Sequence, residues 1–113
     1  MAMEIPQEIS FMSQTWRIRA ARPKELVDCV GQCDPQTNEI LLDPTLSPDV
    51  ILSTLFHEIV HIWEITLHQH LTEGQTDVIA QAMIHCFKTN PSLLALLAPI
   101  QIQTNEEEDV SQG

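Results

Sequence analysis

The stretch SPDVILSTLFHEIVHIW, residues 47–63, decides how this chain folds. Ser47 followed by Pro48 reads as a helix N-cap with proline at N1, and Asp49 adds a favourable negative charge in the first turn. From there Ile51, Leu52, Leu55, Phe56, Ile59, Val60, Ile62 and Trp63 recur at helical spacing and form a wide apolar stripe. A helix that buries one broad face is expected. His57 and His61 stand i and i+4 within it, stacked on one face about 6 Å apart along the axis.

Upstream, the pattern changes to strands. Phe11 to Ala20 places Trp16, Ile18 and Ala20 on one face and Arg17 and Arg19 on the other. Leu26 to Cys33 and Glu39 to Asp43 read as two more strands, and the turn residues Asp34-Pro-Gln-Thr-Asn38 between them predict a hairpin. Downstream, Thr72 with Gln75 three residues later forms a capping box that starts a second helix, continued by Ile79, Ala80, Met83, Ile84 and Phe87. Asn90-Pro91 ends it, and Ser92 to Ala98 allows a short third helix. Strands first and helices after predict an α+β fold, with a small antiparallel sheet of about three strands beside a helical pair.

A length of 113 residues suits one domain, expected over 1–100, and is too short for two separate cores. The polar, acidic segment 101–113 is expected to be a disordered tail. The formal charge of −11, four units of it from Glu106 to Asp109, makes a poor partner for nucleic-acid phosphates. The longest apolar run, Leu93 to Ile100, is broken by Pro99 and is too short to span a bilayer. Glu4 and Glu8 stand where a secretory signal would be basic, so a cytoplasmic protein is expected. The three cysteines fit reduced thiols. Cys29 and Cys33 on a straight strand would lie about 13 Å apart, too far for a disulfide. Cys86 reads as a core residue.

His57, Glu58 and His61 form an H-E-x-x-H motif on the helix. Two imidazoles at i and i+4 can share one zinc ion at roughly 2.0–2.1 Å. Glu58, one position on, flanks that ion and is placed to take a proton from an attacking water and pass it to a leaving amine. A catalytic zinc needs a third protein ligand. Leu67 stands six residues after His61, where the metzincin pattern requires histidine. Glu73 and Asp77, again i and i+4, start the second helix. One of these carboxylates can bind the metal while the other holds a ligand histidine by its free ring N–H.

With these residues the sequence resembles the gluzincin metallopeptidases, in which H-E-x-x-H is followed on a second helix by E-x-x-x-D. The run Glu73-Gly-Gln-Thr-Asp77-Val-Ile-Ala80 is also similar to the E-x-x-A-D-x-x-A element of ImmA/IrrE-like members, with Thr76 in place of alanine. The span from Gly31 to Pro91 resembles small metallopeptidases encoded by phages and prophages. The resemblance implies a minimal zincin-like fold and a zinc-dependent hydrolase acting on a peptide or protein substrate. It implies His57, His61 and Glu73 as ligands of one zinc per chain, Glu58 as general base, and Asp77 as the carboxylate behind a ligand histidine.

Glu73 can reach the metal only if the first helix ends or bends near Ile65 to Leu67, because a helix running to His70 would leave it more than about 10 Å away. With a longer helix, Asp77 and then His85 are the alternatives. Glu64 and His68 read as a solvated i,i+4 pair, His70 as a loop residue, and His85, Trp16 and Trp63 as core. The chain contains no tyrosine, so an oxyanion donor of that kind is missing. Two other readings fit the same residues. One is a zinc-binding protein that holds partners without turnover; the other is an acidic interaction protein, such as a nucleic-acid mimic. Neither a membrane nor a nucleic-acid partner is expected for the peptidase.

Overall fold

Met12 and Ser13 both adopt positive φ, 51° and 73°, and so make the two-residue turn that suits the twist of a β-hairpin. In the computed structural model, which describes residues 4–98, this turn joins β1 (Glu8–Phe11) to β2 (Gln14–Ala20). Phe11 pairs with Gln14 across it. The expected single strand from Phe11 is therefore split into the end of one strand and all of the next. The expected tail 101–113 lies outside the described residues.

Two further strands follow, β3 (Gly31–Asp34) and β4 (Glu39–Leu42), joined as the expected hairpin with Asp34 opposite Glu39. The sheet order is β1-β2-β4-β3, and β2 and β4 run parallel. The sheet thus has four strands and is mixed, where about three antiparallel strands were expected. The fold class is α+β as expected. The strand expected over Leu26 to Cys33 is shortened to its last residues because local polar bonds fold 21–30 into a loop. Glu25 accepts hydrogen bonds from the Arg22 backbone N–H at 2.8 Å and from Arg19 Nη1 at 3.0 Å, and Lys24 and Asp28 take left-handed conformations.

One face of the sheet carries Trp16, Ile18, Ile40 and Leu42, all buried, and α1 (Pro48–Thr66) lies on it through Leu55 and Ile62. Arg17 and Arg19 point to the opposite face, where both bond Glu39. Ala20, expected with the apolar set, is exposed at the strand end. Trp63 is half-buried and packs on Phe11, with ring centroids 5.9 Å apart. Gly31 is needed where β3 meets the helix. A Cβ there would overlap Thr54 Cγ2 and stand 3.6 Å from Glu58 Cγ.

Helix α1 ends early, as Glu73 requires. Leu67 is its C-cap and His68 takes φ 57°. The Gln69 N–H donates to the Glu64 carbonyl at 2.9 Å and the His68 N–H to the Ile65 carbonyl at 3.4 Å. This pair of bonds is a Schellman motif, with histidine in the left-handed position usually held by glycine. Helix α2 (Glu73–Thr89) opens with both bonds of the Thr72–Gln75 capping box formed. It turns Thr76 and Ala80 inward, small enough for close approach to α1. His85, expected in the core, is exposed, and Cys86 is only half-buried, because among the described residues nothing covers that side of α2. A short α3 (Pro91–Leu97) follows and buries none of its residues. Among the described residues no helix is long and apolar enough to cross a membrane.

Candidate metal centre

The turn that ends α1 brings the start of α2 back against the histidine face. Glu73 Oε1 lies 3.0 Å from His57 Nε2, Glu73 Oε2 lies 3.1 Å from His61 Nε2, and the two Nε2 atoms are 3.1 Å apart. His57, His61 and Glu73 form the group of donors among the described residues that can hold a metal ion. Donors at zinc's usual distances of about 2.0–2.1 Å stand about 3.3–3.4 Å apart on a tetrahedron. Here the two Glu73 oxygens each face one histidine, and one donor atom from each of the three residues lies within 4.8 Å of the others. The residues fit a metal ion, and they are the three that the H-E-x-x-H and E-x-x-x-D spacing anticipates.

Asp77, one helical turn beyond Glu73, places Oδ1 3.6 Å from His57 Nδ1. That is longer than a direct hydrogen bond, and its side chain is 61% exposed. It stands behind the expected histidine without gripping it. Glu64 does grip the other histidine. Its Oε1 lies 3.1 Å from His61 Nδ1 and its Oε2 accepts the Leu71 N–H at 2.8 Å. These bonds, the Leu71 N–H foremost, hold its carboxyl below the usual carboxylate range. The expected Glu64–His68 pair is thus replaced, because α1 stops at Thr66 and leaves His68 outside the helix. The signal for Glu64 was its i+3 spacing from His61, which puts the two side chains on one face.

Glu58 is only 7% exposed. Burial pushes its carboxyl above the usual range, and the neighbouring His61 and His57 oppose the shift. Glu58 shares a cleft of about 540 Å³ with the three donors; Gly31, Gln32 and Cys33 of β3 form the opposite wall. Burial, and then the Glu58 charge, push the Cys33 thiol up to about 12, so it stays protonated at neutral pH. No lysine or arginine is among the residues lining this cleft. His85 does not join the cluster.

No protein-family model, no curated protein and no solved structure matches this chain.

Proposed function

We propose that this chain is a zinc-dependent metallopeptidase. The observation that carries the reading is the convergence of His57, His61 and Glu73 on one point beside a buried carboxylate, Glu58, in an open cleft. Bound zinc would supply a Lewis acid that polarises a substrate carbonyl and makes water acidic enough to attack at neutral pH. Glu58 takes the attacking water's proton on a carboxylate oxygen, and its burial strengthens it as a base. As the water oxygen bonds the carbonyl carbon and the C–N bond breaks, Glu58 returns that proton to the departing amine nitrogen.

A peptide has a place to lie. β3 is the last strand of the sheet, so its outer edge offers unpaired backbone groups along the cleft wall, a surface that an extended peptide can extend as one more strand. Among the described residues no lysine or arginine lines the cleft, which argues against an exopeptidase that anchors a free C-terminal carboxylate. The three free cysteines, Cys29, Cys33 and Cys86, agree with a cytoplasmic setting.

A second reading is a zinc-binding protein that holds partners without turnover. It is favoured by the absence of tyrosine from the chain and, among the described residues, of any lysine or arginine lining the cleft that could stabilise an oxyanion. Zinc-loaded protein offered a pool of random peptides separates the two. Cleavage that disappears in Glu58→Gln at unchanged zinc content supports the peptidase. Zinc retention with no cleavage by the native chain leaves the second reading.

A further inference from the structure

We infer that Glu64 is a positioning residue that ties the orientation of His61 to the loop delivering Glu73. The inference rests on the metal-binding part of the reading above and does not require peptide hydrolysis. Glu64 sits in the last turn of α1, and its side chain is 15% exposed against 61% for Asp77. Its two oxygens have separate partners, His61 Nδ1 at 3.1 Å and the Leu71 N–H at 2.8 Å. A backbone N–H can only donate, and an ionised carboxylate can only accept. With zinc held at Nε2, neutral His61 would carry its proton on Nδ1, where Glu64 Oε1 is placed to accept it.

The second bond acts on the chain path. Leu71 stands two residues before Glu73, between the Schellman turn that ends α1 and the capping box that opens α2. Pinning Leu71 to the α1 side chain fixes where α2 begins, and so where the Glu73 carboxylate arrives. One side chain thereby sets two of the three donors. A glutamine of the same shape cannot replace it: its amide has one acceptor oxygen, and its NH2 would face a second donor.

The test uses metal-free and zinc-loaded full-length protein. Glu64→Gln should weaken zinc binding, measured by chelator competition, by about 10–100-fold, and should speed hydrogen exchange at the Leu71 amide in the metal-free chain. Zinc affinity within about threefold of the native value, or unchanged exchange at Leu71, would overturn the coupling. The native chain gives an independent reading in case the variant fails to fold. Nitrogen-15 NMR of zinc-loaded protein at pH 8 should find the His61 Nδ1 proton present and slow to exchange with water, and finding zinc on Nδ1 overturns the inference. If the native chain binds no zinc, the metal reading fails, while the exchange measurement at Leu71 still decides whether Glu64 pins the loop.

Discussion

His57 Nε2 and His61 Nε2 lie 3.1 Å apart, with their rings edge to face at 75°. Two imidazoles one helical turn apart have room to turn away from each other into the cleft. Here both turn their Nε2 atoms inward, towards Glu73. A cation between them is one thing that would stabilise this arrangement.

The chain should therefore purify with about one zinc ion, and His57→Ala or His61→Ala should release it. Because the metal binds the folded state, zinc at 100 times its Kd should add about 2.7 kcal/mol of stability. Calorimetry with and without chelator reads the difference as a shift in Tm. An unchanged Tm would show that no metal binds at this site.

His68 is the left-handed residue that closes α1, at φ 57°. A side chain in that conformation costs about 1–2 kcal/mol, and glycine avoids it. His68→Gly should raise stability by about 1 kcal/mol in urea denaturation, leaving zinc binding intact because His68 is not among the donors. A loss of stability would show that the imidazole makes a compensating contact.

The helix starts were legible because they depend on neighbours in sequence. The Thr72–Gln75 box forms both of its bonds. Ser47 takes the N-cap position without its side chain capping, so Pro48 and Asp49 mark that start. The grouping of His57, His61 and Glu73 was legible for the same reason: i,i+4 spacing fixes His57 against His61, and only the end of α1 had to be located. That end was inferred from the reach Glu73 needs, since it uses histidine where glycine is usual; the pairing of Glu64 with His68 assumed helix beyond it and was wrong. The β1–β2 turn was hidden likewise, because Met12 and Ser13 carry none of the glycine or asparagine that marks such hairpins. The parallel pairing of β2 with β4 depends on contacts between distant segments, which no local pattern encodes. His85 was misread because helical periodicity marks an apolar face without saying whether anything covers it.

Thr76 is wholly buried, and its hydroxyl has no partner among the described residues. A buried unsatisfied polar group costs about 1–3 kcal/mol. Thr76→Val keeps the shape and removes the hydroxyl, so it should stabilise the fold by about 1 kcal/mol in urea denaturation. Destabilisation instead would mean that the hydroxyl is bonded in solution, most simply by a buried water.

Arg19 bonds Glu25, and that contact, with the Arg22 backbone N–H, lowers the Glu25 carboxyl from 4.5 to about 2. A depressed carboxyl stabilises the fold above its unfolded pKa, and the contribution is lost as pH falls through the folded value. Glu25→Gln should therefore lower Tm at pH 6, and the gap from the native chain should close between about 4.5 and 2. A gap that persists at pH 2 would trace the effect to the loop's shape instead of its charge.

Gly31 and Thr54 set the distance between the edge strand and α1. A Cβ on residue 31 would overlap Thr54 Cγ2, and behind it stands Glu58 Cγ at 3.6 Å. Thr54 is anchored by its hydroxyl, which donates to the Val50 carbonyl at 2.7 Å, so its methyl cannot easily rotate aside. Overpacking of this kind costs about 1–3 kcal/mol, and Gly31→Ala should lose that much in urea denaturation. It should also lower turnover of any peptide the chain cleaves, since pushing β3 outward moves the cleft wall away from Glu58. Thr54→Ser keeps the hydroxyl bond and removes the methyl, so it should restore most of the loss when combined with Gly31→Ala. The two substitutions should thus be coupled by about 1 kcal/mol or more. Strict additivity would place the cost of Gly31→Ala in the strand backbone and not in its contact with the helix.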